Sequence, residues 1–204
     1  MAAFPERFIL ASSSPRRIQM LKLLKVPFEV IAPNSSEERK DAEEPVRLVA
    51  RLAMEKAKDV AAHLEPDTRE TVIVGCDTIV VLGSEIFGKP KDKEEAFAML
   101  TRLQGRTHLV YSGLGLIRRF NGREETLSSF CATEVTMCRL EKEEIEKYLT
   151  LENPLDKAGA YAIQDGGSLI ISVIDGCYYN VLGFPVRTLE ETLRQWGYSL
   201  FKAC

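Results

Sequence analysis

A chain of 204 residues, 45% hydrophobic and 28% charged, is long enough to bury a sizeable core and has the make-up of a folded globular protein. Its formal net charge of −3 leaves none of the basic excess that nucleic-acid binding calls for, and no apolar run reaches the length of a membrane span. Five cysteines, an odd number with no C-x-x-C pair, argue against a disulfide framework or a zinc knuckle and for reduced thiols in a cytosolic protein. Residues 1–6 lack the apolar segment of a signal peptide.

In chain order, Arg7 to Ala11 predicts a short buried strand. Ser14 and Pro15 read as the N-cap and first residue of a helix, with Ile18, Leu21 and Leu24 at helical spacing. Phe28 to Ala32 predicts a second strand, and 33–44 an exposed acidic loop. Pro45 to Leu64 predicts a helix with Val46, Val49, Ala53, Ala57, Val60 and Leu64 near one face. Thr71 to Gly75 and Thr78 to Leu82 read as two strands, and Asp92 to Leu103 as a helix opened by an Asp92–Glu95 capping box. Thr107 to Arg119 and Glu124 to Arg139 are long strands joined by Asn121-Gly122, a strong hairpin signal. Glu141 to Thr150 is a short helix, Ser168 to Ile174 a strand, and Pro185 to Trp196 the last helix, closed by Gly197. Strands and helices alternate with a hairpin between, which predicts an α/β fold on a mixed sheet.

Three segments can carry chemistry. Ser12-Ser13-Ser14-Pro15-Arg16-Arg17 lies between a strand and a helix, where N–H groups and the helix dipole suit a phosphate; the same residues also suit an ordinary capped helix with solvated arginines. Gly75-Cys76-Asp77-Thr78 ends an apolar strand in a carboxylate that can hold Mg²⁺ or take a proton from water, or simply cap a turn. Asp156 to Gln164 mixes both charges with small residues, an aromatic and an amide, so a ligand could approach its backbone closely. Gly83 to Lys89 matches G-x-x-x-x-G-K, but Pro90 stands where a P-loop needs Ser or Thr, so the motif is rejected. Lys89 remains a point charge that could reach a phosphate. His63 and His108 are too far apart in sequence to support a histidine metal site or triad.

Together these segments resemble the Maf family of nucleotide pyrophosphatases. The order carries the resemblance: Leu10 to Arg17, Arg51 to Ala57, Gly75 to Thr78, Gly88 to Pro90, Asp156 to Gln164, and Gly183 to Pro185. Each is weak alone, and six in order are specific. The resemblance runs from about Phe8 to Trp196 and treats residues 1–204 as one domain. It implies an elongated mixed sheet with flanking helices and two lobes around a cleft, similar to inosine triphosphate pyrophosphatases. It also implies a cytoplasmic enzyme, often a homodimer, that needs Mg²⁺ or Mn²⁺ and releases a nucleoside monophosphate and pyrophosphate.

The family's proton acceptor falls on Asp77. Glu37 or Glu38 supplies a second carboxylate near the metal, and Glu38 is favoured. Arg16, Arg17, Lys56 and Lys89 would bind phosphates, Ser12 a phosphate oxygen, and Lys157 belongs to the same shell. Arg16, Thr78 and Gln164 match the subgroup acting on dTTP, UTP and related pyrimidine nucleotides; the subgroup acting on 7-methyl-GTP typically carries Trp, Gln and Glu there. A neutral Gln amide both donates to and accepts from a uracil or thymine edge. Two departures stand out: Cys76, where Ala or Ser is usual, and Asp165, where Gly is common. The alternatives are a 7-methyl-GTP pyrophosphatase and a nucleotide-binding regulator of division or septum formation. A pure binder has no need for the full set of Asp77, Glu38 and Lys89.

Overall fold

The computed structural model describes residues 3–35, 38, 43–65, 68–151 and 153–203. Among them a seven-stranded sheet has the order β2-β1-β3-β5-β6-β7, with β4 paired to β3. The strands are β1 (Arg7–Ala11), β2 (Glu29–Ile31), β3 (Thr71–Leu82), β4 (Glu85–Phe87), β5 (Thr107–Phe120), β6 (Arg123–Met137) and β7 (Ile171–Asp175). β1 is parallel to both β2 and β3, whereas β4 on β3 and β7 on β6 are antiparallel, so the sheet is mixed as expected. The helices are α1 (Pro15–Leu23), α2 (Pro45–Ala62), α3 (Lys93–Leu103), α4 (Lys142–Leu151), α5 (Tyr178–Val181) and α6 (Val186–Arg194). None is long and apolar enough to cross a membrane.

Several elements differ from the sequence reading. The two strands expected at 71–75 and 78–82 are one, because β3 passes through Gly75, Cys76 and Asp77 without a break. Five residues of ladder with β1 reach Gly75, and β3 is also paired with β5 on its other side, so sheet pairing overrides the poor strand propensity of Gly and Asp. The three-residue β4 escapes periodicity altogether and exists through its pairing with β3. Residues 165–169 form a 3₁₀ turn, which delays the expected strand to Ile171. Ser14 sits at the N-cap of α1 without a side-chain hydrogen bond; instead Ser14 N donates to Ser12 Oγ at 3.1 Å. At α3 the expected cap forms, Glu95 N donating to Asp92 Oδ1 at 2.8 Å, while Glu95 reaches back to Lys91 N instead of the cap residue. Asn121 and Gly122 both have positive φ, 50° and 73°, as the tight turn between β5 and β6 requires.

The described residues group into two compact units. The first comprises 1–77, 112–131 and 183–204, and the second 78–111 and 132–182. In the first, α2 packs Ala57, Val60 and Ala61 against Ile9, Ile73 and Ile117 of the sheet. Its buried positions, Leu48, Val49, Leu52, Ala53, Lys56, Ala57, Val60 and Ala61, repeat at helical spacing, and Lys56 alone among them is charged. The helix lies very close to the strands: a Cβ on Gly75 would stand 2.0 Å from Ala53 O. Only glycine permits that approach. In the second unit α3 and α4 share a core with β-strand residues, including Met99, Leu100, Leu103, Val110, Val135, Ile145 and Tyr148.

Candidate active site

In the first unit β1 stops at Ala11, opposite Gly75, and β3 runs on. Cys76 and Asp77 are thus the first residues beyond the β1 ladder. A side chain takes the place of the missing strand: Arg17 Nη1 donates to Cys76 O at 2.7 Å and its Nε donates to Gly183 O at 2.8 Å. Arg17 Nη1 also reaches Ser12 Oγ at 3.3 Å. The guanidinium therefore fastens three segments, and Ser12 is buried among them. Cys76, fully buried, donates its thiol to Gly183 O at 3.4 Å.

The centre of this group is Lys56 and Asp77. Lys56 Nζ lies 2.5 Å from Asp77 Oδ1, and both residues are buried. A buried ammonium and carboxylate persist only when paired, because removing either from water costs several kcal/mol. Asp77 Oδ2 has no hydrogen-bond partner among the described residues. It is a hard, anionic oxygen of the kind that accepts a proton from water or a bond from Mg²⁺ or Mn²⁺. No group of three or more His, Cys, Asp or Glu side chains gathers among the described residues.

The other expected residues are placed as follows. Arg16 is half-buried in the first turn of α1. Glu38 is exposed, and its carbonyl accepts from Arg51 Nη2 at 3.1 Å; Glu37 lies outside the described residues. Arg51 also binds Glu43 at 2.5 and 2.8 Å and Glu55 at 3.0 and 3.1 Å. Sequence reasoning noted Arg51 only within a motif, and its spacing of four from Glu55 was the available signal.

In the second unit, Thr78 is half-buried on β3 and Lys89 is exposed just after β4. Gly83 and Ser84 form the turn between β3 and β4, so the G-x-x-x-x-G-K match spans a hairpin. Gly159 N donates to Gly88 O at 3.0 Å, which joins the Lys89 segment to the 156–164 segment. Lys157 is buried, and its ammonium donates to Asn153 O and to Asp156 Oδ1, the latter at 3.0 Å. Gln164 caps the 165–169 turn and is half-buried, with no hydrogen bond from its side-chain amide among the described residues. The side chain of Asp165 lies outside the described structure. A feature missed from sequence is the buried pair of His108 and Tyr161, whose Nε2 and phenol oxygen share a hydrogen bond at 2.6 Å. An alternating strand gives no hint that one of its buried positions holds a histidine with a partner 53 residues away.

The comparisons agree with the order of motifs. The family model described as Maf-like protein matches residues 7–196. A dTTP/UTP pyrophosphatase of Dictyoglomus turgidum is 41% identical over 196 residues, covering 96% of this chain and 98% of the relative. One from Bacillus cytotoxicus is 43% identical over 191 residues, covering 94% and 96%. One from Carboxydothermus hydrogenoformans is 42% identical over 192 residues, covering 94% and 100%.

Proposed function

We infer the function of this chain from the family to which it belongs, the Maf-like proteins. It is a nucleoside triphosphate pyrophosphatase that hydrolyses dTTP, UTP and related pyrimidine nucleotides to the monophosphate and pyrophosphate; its relatives are named dTTP/UTP pyrophosphatases. The observation that carries the chemistry is the buried Lys56–Asp77 pair with one carboxylate oxygen left open. The family match runs through residues of both units, so the chain is read as one functional domain with the inosine triphosphate pyrophosphatase-like fold and cleft that the resemblance implies.

The mechanism follows from charge. Asp77 takes a proton from water, and the water oxygen forms its bond to the α-phosphorus as the bond to the α–β bridging oxygen breaks. The electron pair of that bond leaves with pyrophosphate. Lys56, Arg16, Arg17, Lys89 and Lys157 hold the phosphates and offset the negative charge that builds on the bridging oxygen. Ser12 orients a phosphate oxygen near α1, while Thr78 and Gln164 read the base. Asp77 and Glu38 would hold a divalent cation, Mg²⁺ or Mn²⁺, which would supply neutralisation of the triphosphate. Lys56 meets Asp77 before substrate arrives, so its ammonium is already in place to shift toward phosphate. The protein is proposed to act in the cytoplasm as a homodimer, on the same resemblance.

The test is a panel of dTTP, UTP, CTP, 5-methyl-UTP, GTP and 7-methyl-GTP with Mg²⁺ or Mn²⁺, products resolved by chromatography. Monophosphate and pyrophosphate from dTTP or UTP are expected. Cleavage of 7-methyl-GTP alone would overturn the reading of Arg16, Thr78 and Gln164. Folded protein that cleaves nothing would point to nucleotide binding without hydrolysis.

A further inference from the structure

The segment that carries Lys157 and Gln164 is bent in a costly way. Gly159 and Ala160 are consecutive residues with φ of 69° and 64°. Ala160 is fully buried there, and a non-glycine residue in the left-handed region brings its Cβ too close to the following carbonyl oxygen. Such a conformation persists only when its surroundings over-determine it, and it accumulates at ligand-binding sites.

The surroundings do so at each residue in turn. Gly159 N donates to Gly88 O at 3.0 Å, and Ala160 N to Lys157 O at 3.1 Å. Ala162 N donates to the Tyr148 hydroxyl of α4 at 3.1 Å. Between these backbone bonds the side chain of Tyr161 runs into the interior, 5% exposed, and meets His108 of β5. The two rings stand edge to face at 5.3 Å, and the hydrogen bond of 2.6 Å joins His108 Nε2 to the phenol oxygen. His108 Nδ1 is buried with no partner. An unpaired ring nitrogen costs free energy, so the imidazole is not there for its packing alone. Among the described residues, the one polar contact of its ring is the phenol of the segment that bears Lys157 and Gln164.

We propose that His108 is a positioning residue for the nucleotide: through Tyr161 it fixes the 157–164 segment so that Gln164 meets the base and Lys157 the phosphates. This rests on the role given to Gln164 above. Tyr161 is three residues from Gln164 and four from Lys157, so a shift of the ring is passed to both.

Four variants test it: Tyr161→Phe, His108→Phe, His108→Gln and, as a reference for base reading, Gln164→Glu. Each is assayed for kcat and KM on dTTP, UTP and GTP, and its fold is followed by thermal melting. The Gln amide nitrogen can occupy the place of His Nε2, so His108→Gln keeps the hydrogen bond. Tyr161→Phe and His108→Phe are expected to raise KM for dTTP about tenfold and to lower the preference for dTTP over GTP, with kcat changed less than about threefold. His108→Gln is expected to retain the preference. A merely structural role would lower the melting temperature of all three pair variants and leave the preference intact. If Tyr161→Phe keeps the wild-type KM and preference while Gln164→Glu alters them, the inference is overturned and the role of Gln164 stands. If Gln164→Glu also leaves the profile unchanged, both fall. Should His108→Phe fail to fold, Tyr161→Phe decides, since it removes one hydroxyl and preserves the ring.

Discussion

Asp77 and Lys56 are tied to each other, so neither can be altered without consequence for its partner. Asp77→Asn removes the proposed proton acceptor and should lower turnover by about 10²–10⁴-fold, measured by pyrophosphate release. It also leaves the Lys56 ammonium buried beside a neutral amide, and the melting temperature should fall. Pairing it with Lys56→Met should restore much of the lost stability and none of the activity; a double variant as unstable as the single one would remove the ion pair from this account. His108 makes a second residue-scale prediction. Burial pulls its pKa from 6.5 down to about 4, and burial pushes the Tyr161 phenol up, away from ionisation. The unfolded chain therefore binds a proton near pH 6.5 that the folded protein refuses until about pH 4. The stability contributed by neutral His108 is complete above pH 6.5 and is lost as pH falls through that window, by about 3 kcal/mol. Denaturant melts of the wild type at pH 7 and pH 4.5 should differ by more than those of His108→Gln. From sequence, Asp77 reads as a carboxylate at a strand end, whereas β3 runs on through it to Leu82, and Lys56 reads only as a lysine within a motif. That Lys56 occupies the buried stripe of α2 becomes plain once Leu52, Ala53 and Ala57 are seen around it.

Among the elements, α2 and β3 set the position of that pair. The backbone of α2 rests on Gly75, two residues before Asp77, and on Gly113 of β5, where a Cβ would stand 2.2 Å from Val49 O. Gly75→Ala must push helix and strand apart, carrying Lys56 away from Asp77. Both stability and activity should fall, the first in a denaturant melt and the second in the dTTP assay; wild-type values for both would mean that the helix tolerates displacement. The sequence revealed the helices well because their apolar spacing is strong. It revealed β3 badly because Gly-Cys-Asp carries no strand signature, and the strand is made by pairing with β1 and β5, both distant in the chain. β4 and α5 were invisible for a related reason: three or four residues hold too little periodicity, and pairing or packing makes them. Of the candidate site, the residue types were readable and their partners were not. Arg17 read as a phosphate ligand, and the structure adds its grip on the carbonyls of Cys76 and Gly183.

For the molecule as a whole, a net charge of −3 opposes the approach of a triphosphate, and the cations proposed to bind the phosphates would reverse that locally. Raising ionic strength at fixed free Mg²⁺ should therefore lower kcat/KM for dTTP more than kcat; equal losses would place the effect on chemistry instead of capture. Cys76 adds a property of a different kind. Its thiol is fully buried in the core beside Asp77, whereas Cys131, Cys138 and Cys177 are partly accessible. A thiol-labelling reagent meets Cys76 only when that part of the sheet opens, so the labelling rate is a clock for local unfolding beside Asp77. The three accessible thiols should react first, and Cys76 after a lag that lengthens when the product dTMP is bound. A single side chain, tucked against the backbone of Gly183, thus lets the breathing of this enzyme be timed without any engineered probe.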